Sequence, residues 1–365
     1  MTGRVLIMAG GTGGHVFPAL AVAEALRARG IEVVWMGTRL GLEARVVPEA
    51  GIRVEWVSIA GLRGKNLLTR VAAPFRVLLA VAQALRIILR VKPAVVLGMG
   101  GYAAGPGGVA AWLTRRPLVI HEQNAIAGTT NQILARLARR VLAAFPGAFP
   151  GGVSSMVVGN PVRATIAALP GPDRRLAERK GPVHLLVLGG SQGALALNQT
   201  VPEALAHLPA EQRPVVRHQA GRNTLEIARA AYARFGVAAE VSEFIDDMAA
   251  AYGWADLAIC RSGALTVSEL AAAGVPAVLV PFPAAVDDHQ TLNGGYLVAA
   301  GAAVLVPESQ LDPDRLAHVL AGLLGDRGRR LDMARRARGA ARTEALSTIE
   351  RVLLDVGGLA MEEAR

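Results

Sequence analysis

The sequence predicts an α/β protein of two Rossmann-like domains, each a doubly wound parallel sheet, that face each other across a cleft. Short apolar runs alternate with helical segments along the chain, which is typical of parallel sheets. Two of these runs end in glycine-rich loops, at 10–14 and 189–193. A chain of 365 residues is also long enough for two domains with a core each.

The first half of the chain alternates strand and helix and is predicted to form a domain over 1–163. Helices are expected at 15–29, near 42–50 and, after an interruption at Pro74, up to about Arg90. A third glycine-rich segment, 98–108, follows one of the strands. Strands are expected at 4–9, 31–36, 52–58, 94–98, 117–121 and 155–158.

The second half is predicted to form a domain over 164–340. Residues 164–182 are rich in Pro, Gly, Arg and Asp and are interpreted as a linker. A final helix at about 341–362 is expected to pack back on the first domain. Strands are expected at 183–188 and near 214–219, 238–242, 256–260, 276–280 and 303–306.

The net charge of +10 is concentrated in one part of the chain. No acidic residue lies between Glu55 and Glu122, whereas nine arginines and lysines do. Few aromatic rings accompany them, so we expect no nucleic-acid partner and favour an anionic membrane surface. The single cysteine, Cys260, cannot form an internal disulfide, which fits a cytoplasmic protein.

An apolar segment at 67–89 lies within this basic region. Its large side chains recur at helical spacing with arginines between them, so it is either a core helix or a membrane-docking face. The side chains in question are Val71, Phe75, Leu78, Leu79, Leu85 and Ile88.

The glycine loops are the first candidates for ligand contact. Glycine lets the backbone approach a ligand closely, and the N–H groups at a helix start favour a phosphate. His15 directly follows Gly14 and is either a functional residue, as a general base or a phosphate contact, or a locally packed ring. Glu122 competes for the role of base, its alternative being a carboxylate paired nearby.

Two acidic motifs in the second half have structural as well as functional interpretations. Glu269 is either the acceptor of two hydrogen bonds from a ribose diol or, with Thr266, part of a capping box. Asp312 precedes Pro313 and is interpreted as a helix N-cap rather than a metal ligand. We therefore expect no metal site.

Taken together, these segments resemble the MurG family, the UDP-N-acetylglucosamine:N-acetylmuramyl-(pentapeptide)-pyrophosphoryl-undecaprenol N-acetylglucosamine transferases of peptidoglycan synthesis. The matching stretches run from the N-terminus to about residue 295. They are 10–18, 61–65, 98–102, 121–124, 159–163, 189–194, 244–248, 260–269 and 289–290.

The resemblance implies a GT-B glycosyltransferase that needs no cofactor and no metal. It implies that the acceptor diphosphate contacts Gly13, Gly14, Gly100, Gly101 and Tyr102, and that Arg63, Lys65, Val71, Phe75, Leu78 and Leu79 dock on the inner membrane. The implied contacts of UDP-N-acetylglucosamine are Thr12, Gly13, Gly14, Asn124, Arg163, Ser191, Ile245, Ala264, Leu265, Thr266, Val267, Ser268, Glu269 and Gln290.

The implied reaction is an inverting transfer to the C4 hydroxyl of undecaprenyl-pyrophosphoryl-N-acetylmuramyl-pentapeptide, which converts lipid I to lipid II. The expected location is the cytoplasmic face of the inner membrane, where other cell-wall synthesis proteins are further partners. His289 stands where the family pattern has a second glutamine. The alternatives are a nucleotide-sugar epimerase, a nicotinamide oxidoreductase and a non-enzymatic membrane scaffold.

Overall fold

The computed structural model describes residues 3–59, 73–177, 179–190 and 192–359. It divides into two compact units, the first formed by Met1–Pro161 with Thr343–Arg365 and the second by Val162–Arg342. Among the residues described, no helix has both the length and the apolar character to cross a bilayer.

The first unit contains a seven-stranded sheet in which all paired strands are parallel, in the order β3-β2-β1-β4-β5-β6-β7. This is a doubly wound arrangement, as predicted. The strands are β1 (Arg4–Met8), β2 (Glu32–Gly37), β3 (Arg53–Trp56), β4 (Val95–Gly98), β5 (Leu118–Glu122), β6 (Arg140–Ala143) and β7 (Met156–Val157).

Helices cover both faces of this sheet because its central strands are apolar on both sides. Leu6 and Met8 of β1 join one buried cluster, and Val5 and Ile7 join the other. The helices between these strands are α1 (Gly13–Ala28), α2 (Glu43–Glu49), α3 (Ala73–Val91), α4 (Ala104–Leu113) and α5 (Thr129–Leu134).

Strand β6 was not predicted. Its four residues follow an Ala- and Arg-rich stretch that is typical of a helix. The strand is defined by its parallel pairing with β5, in which Ile120 lies beside Val141 and His121 beside Leu142. Pairing of this kind is a tertiary property that a short local pattern does not reveal.

The second unit contains a six-stranded parallel sheet in the order β10-β9-β8-β11-β12-β13. A buried cluster from β8, β11 and β12 packs against helices on one side. The strands are β8 (His184–Leu188), β9 (Val215–Gln219), β10 (Glu240–Ser242), β11 (Leu257–Cys260), β12 (Ala277–Leu279) and β13 (Ala303–Leu305).

The predicted linker at 164–182 is wrong. Its residues form two short helices, α6 (Ala164–Ala167) and α7 (Pro172–Ala177), which belong to the second unit. Arg175 anchors the second of them, because its guanidinium donates to the Gly274 carbonyl at 2.7 Å. Tertiary contacts of this kind thus stabilise short helices in a segment whose composition is typical of loops.

The remaining helices complete both units. The C-terminal helix returns to the first unit, where Ile349, Leu353 and Val356 enter the cluster that contains Val5 and Ile7. These helices are α8 (Leu195–Ala206), α9 (Leu225–Phe235), α10 (Met248–Trp254), α11 (Ala264–Ala273), α12 (His289–Ala299), α13 (Pro313–Leu324), α14 (Arg327–Ala340) and α15 (Ala345–Gly357).

Candidate functional site

Two glycine loops of the first unit meet at the centre of its sheet. Strands β1 and β4 are neighbours there, and the chain leaves them in opposite directions, a place where α/β sheets bind ligands. A Cβ on Gly101 would lie 2.3 Å from the Gly10 carbonyl oxygen, and one on Gly100 would lie 2.7 Å from His15 Nδ1. Only glycine allows this approach, so the loop after β4 packs directly against the loop after β1.

The start of α1 has the features of an anion site. Thr12 is the N-cap residue, and its side chain makes no capping hydrogen bond. The first turn contains no acidic residue, and Thr12 and Gly14 are exposed. Because the helix dipole and the unpaired N–H groups favour negative charge there, the predicted contacts Gly13 and Gly14 are well placed for a phosphate. Tyr102, in the neighbouring loop, is 54% exposed.

Glu43 supports the first glycine loop and was not predicted. The side chain is fully buried on α2. Its Oε2 accepts from the Gly11 N–H at 2.9 Å, and its Oε1 accepts from the N–H and hydroxyl of Thr38 at 3.0 and 2.8 Å. This carboxylate therefore ties the loop after β1 to the loop after β2. Its position in an unremarkable stretch of sequence gave no signal of that role.

His15 belongs to a hydrogen-bonded series of side chains. Its Nδ1 lies 2.7 Å from Gln123 Oε1, and Gln123 Nε2 donates to His121 Nδ1 at 2.9 Å. His121 Nε2 lies 2.8 Å from the Gly159 carbonyl oxygen. Burial lowers the pKa of His121 to about 4, so this ring is neutral at pH 7. Gln123 and His121 were quoted in a motif but not predicted as site residues.

Glu122 is held within its own loop. Its Oε1 accepts from the backbone and side-chain amides of Asn124, at 3.0 and 3.1 Å. Its Oε2 accepts from the Gly128 N–H at 3.1 Å and from Asn131 at 2.8 Å. Glu122 is 2% exposed, and its carboxylate accepts four hydrogen bonds from its own loop and the helix that follows. This is the local pairing that the sequence offered as the alternative to a catalytic role.

The second unit repeats the arrangement of loops. The loop after β8 packs on the loop after β9, since a Cβ on Gly193 would lie 1.9 Å from Thr224 Oγ1. Ser191, predicted to hold the donor diphosphate, lies outside the described residues. Behind the loop, His218 bonds to Asn198 and Tyr232, each at 2.9 Å, and burial lowers the pKa of His218 to about 3.

Glu269 lies within α11 rather than in a capping box. The helix begins after Gly263, so Thr266 is an interior residue and cannot cap it. The Tyr252 hydroxyl donates to Glu269 Oε2 at 3.2 Å, and Arg163 Nε lies 3.6 Å from Oε1. Burial raises the pKa of Glu269, which is 5% exposed, while Arg163 opposes that shift.

The second oxygen of Glu269, Oε1, differs from Oε2. Among the described residues Oε1 is buried and has no hydrogen-bond partner. A buried acceptor of this kind costs free energy unless a donor reaches it. A ribose hydroxyl would supply that donor. Tyr252 was not predicted, and nothing in the sequence pattern distinguished it from a core tyrosine.

The other predicted donor contacts differ in accessibility. Gln290 Oε1 accepts from the Phe282 N–H at 3.0 Å, which orients its amide. The Val267 side chain is fully buried and its backbone N–H donates to the Gly263 carbonyl, so neither the side chain nor the N–H is available to a ligand. Ala264, Leu265, Thr266 and Ser268 lie in the first turns of α11, and Ile245 is half-buried before α10.

The helix α3 carries both buried and exposed apolar side chains. Towards its C-terminal end Ile87 and Ile88 are buried in the sheet core. Near its start Phe75, Leu78 and Leu79 are 72%, 68% and 46% exposed.

The neighbouring helix α4 also carries exposed apolar side chains, which were not predicted. Trp112 is 54% and Leu113 is 52% exposed. The predicted docking residues Arg63, Lys65 and Val71 lie outside the described part of the chain.

Family comparisons agree with this two-unit organisation. Residues 5–143 match the glycosyltransferase family 28 N-terminal domain, and residues 184–351 match the glycosyltransferase family 28 C-terminal domain. The chain is therefore a glycosyltransferase, with the two parallel-sheet units of the GT-B class.

Close relatives define the family more narrowly. A UDP-N-acetylglucosamine–N-acetylmuramyl-(pentapeptide) pyrophosphoryl-undecaprenol N-acetylglucosamine transferase of Alkalilimnicola ehrlichii is 62% identical, over 97% of this chain and 99% of that protein. A transferase of the same name from Nitrosococcus oceani is 59% identical, over 97% and 98%. The chain belongs to this family, the MurG transferases.

Solved structures show the same fold. The crystal structure of Acinetobacter baumannii MurG matches with a TM-score of 0.86 and 42% identity, over 97% of this chain and 99% of that one. A putative UDP-N-acetylglucosamine 2-epimerase from Listeria monocytogenes matches over all of both chains with a TM-score of 0.67 but only 16% identity. The second likeness concerns the fold alone, so it does not support the epimerase alternative.

Proposed function

We propose that this enzyme transfers N-acetylglucosamine from UDP-N-acetylglucosamine to the C4 hydroxyl of undecaprenyl-pyrophosphoryl-N-acetylmuramyl-pentapeptide. The product is lipid II, the disaccharide precursor of peptidoglycan. Identity of 62% over nearly the whole chain to a transferase of that name carries the proposal. The two glycine-rich sites, one in each unit, fit two substrates that each bear a diphosphate.

The second unit is proposed to hold the donor. Oε1 of Glu269, which has no hydrogen bond among the described residues, would accept from the ribose, and Arg163 beside it supplies positive charge. Amides at the start of α11 and in the loop 189–193 would face the diphosphate. Gln290, whose Oε1 accepts from the Phe282 N–H, would contact the sugar hydroxyls through its Nε2.

The first unit is proposed to hold the acceptor. Its diphosphate would face Gly13 and Gly14 at the start of α1 and the loop that contains Gly100 and Gly101. His15 would remove the proton from the C4 hydroxyl. The hydroxyl oxygen then bonds to the anomeric carbon from the side opposite UDP, so the α-linked donor gives a β-1,4 product.

The leaving group departs as UDP with the electron pair of the broken bond. Backbone N–H groups and helix starts that already point at the diphosphate would stabilise its charge without rearrangement. We infer that these groups act without a divalent metal. Full transfer activity after exhaustive chelation, with no increase when Mg²⁺ is added, would support this part of the proposal.

The exposed apolar side chains of α3 and α4 are proposed to dock on the cytoplasmic face of the inner membrane. Phe75, Leu78 and Trp112 would enter the interface, where an aromatic or aliphatic side chain is stabilised. The surrounding arginines would attract anionic lipids. A membrane position also suits an acceptor with an undecaprenyl tail.

A transfer assay tests the function directly. The protein is incubated with radiolabelled UDP-N-acetylglucosamine and the undecaprenyl-linked muramyl-pentapeptide, and lipid-extracted label is measured. We expect label in the lipid phase and a β-1,4 disaccharide after its release. Label that stays in the water-soluble fraction, in the presence of a verified acceptor, would contradict the proposal.

A further inference from the structure

A series of three hydrogen bonds in the first unit leads from a backbone carbonyl to His15. The Gly159 carbonyl is 2.8 Å from His121 Nε2, His121 Nδ1 is 2.9 Å from Gln123 Nε2, and Gln123 Oε1 is 2.7 Å from His15 Nδ1. His121 is 0% and Gln123 is 1% exposed, so water does not compete with these bonds. The series therefore has a fixed start and leads to a half-buried ring.

The direction of each bond follows from the first. A carbonyl oxygen only accepts, so His121 Nε2 carries the proton that faces Gly159. Because burial keeps His121 neutral, its Nδ1 is bare and accepts from the Gln123 amide. The amide oxygen of Gln123 then faces His15 and can only accept, which places a proton on His15 Nδ1.

The opposite orientation of the Gln123 amide is unfavourable. Gln123 Nε2 is 2.9 Å from the bare nitrogen of His121 and 3.1 Å from the His121 carbonyl oxygen. Exchange of the amide oxygen and nitrogen would set an acceptor against both. Network consistency of this kind is the basis on which amide orientations are assigned.

We propose that Gln123 is a positioning residue that fixes the proton of His15 on Nδ1 and leaves Nε2 as the bare nitrogen. This inference rests on the proposed role of His15 as the base. In the transfer step, Nε2 takes the proton of the C4 hydroxyl while the hydroxyl oxygen bonds to the anomeric carbon and UDP leaves. The resulting imidazolium still donates from Nδ1 to Gln123, so no second proton moves.

The neutral amide has a further consequence. The third member of the series is a carboxamide, so the base is oriented without an added negative charge near the proposed acceptor diphosphate. A carboxylate at this position would repel the diphosphate that the neighbouring helix start attracts. Gln123 thus separates orientation of the ring from the charge of the site.

The tautomer itself can be measured without substrate. In two-bond ¹H–¹⁵N spectra at pH 8, we expect the signals that disappear in His15→Ala to show a protonated Nδ1 and a bare Nε2. In Gln123→Met, which keeps the side-chain length, the Nε2-protonated form should increase. A proton on Nε2 in the unaltered protein, or a tautomer that Gln123→Met does not change, would overturn the inference. The unaltered protein decides the point even if the variant does not fold.

Steady-state kinetics distinguish a role of Gln123 in positioning His15 from a merely structural role. We expect Gln123→Met to lower kcat by about tenfold or more, with KM for UDP-N-acetylglucosamine within about twofold. Gln123→Glu should not recover that loss, because its second oxygen would face two acceptors, the bare His121 Nδ1 and the His121 carbonyl oxygen. The control is Gln132→Met, which removes an amide that donates to the Ala127 carbonyl at 2.7 Å and should keep kcat. An unchanged kcat in Gln123→Met would contradict the proposal.

The two measurements separate this inference from the proposed function. If His15→Ala turns over normally while the tautomer is as stated, the base assignment fails and the role of Gln123 in orienting the ring stands. If His15→Ala is inactive while Gln123→Met is fully active, the base assignment stands and the positioning role fails.

Discussion

The two carboxylate oxygens of Glu269 have different surroundings, and this difference supports the proposed recognition of the donor. Oε2 accepts from Tyr252, while Oε1 is buried without a hydrogen bond among the described residues. A ribose hydroxyl would satisfy Oε1 and recover the cost of its burial. Tyr252 would then act by holding the carboxylate in the orientation that the ribose needs.

Replacement of Tyr252 tests this role at the level of one hydrogen bond. We expect Tyr252→Phe to weaken the binding of UDP-N-acetylglucosamine by about tenfold, since a hydrogen bond to a charged group contributes about 1.5–3 kcal/mol. Calorimetric titration measures the change. Tyr296→Phe is the matched control, because it removes a hydroxyl that bonds to the Ala340 carbonyl. Equal weakening in both variants would show a general loss of stability instead.

His15 is the residue proposed to do the proton transfer. We expect His15→Ala to lower kcat by about 10²-fold or more, the usual contribution of a general base. Steady-state assays with saturating donor measure it. Turnover close to that of the unaltered enzyme would remove His15 from the mechanism, and Glu122 is a poor substitute because its oxygens already accept four hydrogen bonds.

The sequence indicated some of the residues that are proposed to act on the substrates, but not the residues that hold them in position. His15 could be picked out because it follows a glycine loop, and Glu269 because its segment follows the strand predicted at 256–260. Glu43, Gln123 and Tyr252 could not be assigned their roles, because these depend on contacts between residues far apart in the chain. Gln123, for example, reaches His15 across 108 positions.

The helix α3 carries buried apolar side chains on one side and exposed ones on the other. Ile87 and Ile88 pack in the core, whereas Phe75 and Leu78 near its start are exposed and lie in the acid-free basic region. An exposed apolar group of this size is costly in water and stabilised at a lipid interface. Even in the last turns, Ile88 is buried while Leu89 beside it is 62% exposed, so one helix can both contribute to the core and present an apolar surface.

Vesicle binding tests the exposed part. We expect the double variant Phe75→Ser, Leu78→Ser to bind anionic vesicles at least about tenfold more weakly, since each buried side chain contributes about 1.5–3 kcal/mol. Cosedimentation with vesicles of anionic and zwitterionic lipid measures it. The control is Leu40→Ser, because Leu40 is 87% exposed but lies outside α3 and α4. The proposal fails if Leu40→Ser has the same effect.

Elements with a strong local signal were predicted well, and those defined by packing were not. The strand before each glycine loop has an apolar run and a glycine to end it, and both are present. Strand β6 and the helices α6 and α7 lack such signals. The conformation of β6 depends on its pairing with β5. The short helices depend on contacts such as that of Arg175, in α7, with the Gly274 carbonyl.

Each unit of the molecule contains one buried neutral histidine behind a glycine loop. Burial lowers the pKa of His121 to about 4 in the first unit and that of His218 to about 3 in the second. In an unfolded chain the histidine pKa is near its ordinary value of about 6.5. The unfolded state therefore binds a proton that the folded state excludes. The free energy of unfolding is highest above about pH 6.5 and decreases as the pH falls towards the folded-state pKa values.

Urea unfolding tests this dependence for the whole molecule. Between pH 8 and pH 5 we expect the free energy of unfolding to decrease by about 2 kcal/mol for each unit. Tryptophan fluorescence follows both units, because Trp254 lies in the second and Trp35 in the first. His218→Gln should reduce the decrease, whereas the exposed control His318→Gln should not. Stability that is constant from pH 8 to pH 5 would contradict the assignment of neutral buried histidines.

The proposed chemistry is divided between the units: the second holds the donor, and His15 of the first removes the proton. Donor affinity and turnover measured together on His15→Ala and Glu269→Gln test it most directly. We predict that His15→Ala keeps the dissociation constant of UDP-N-acetylglucosamine within about threefold and loses turnover by about 10²-fold, whereas Glu269→Gln weakens donor binding by about tenfold or more. Loss of donor binding in His15→Ala with normal binding in Glu269→Gln would contradict the claim.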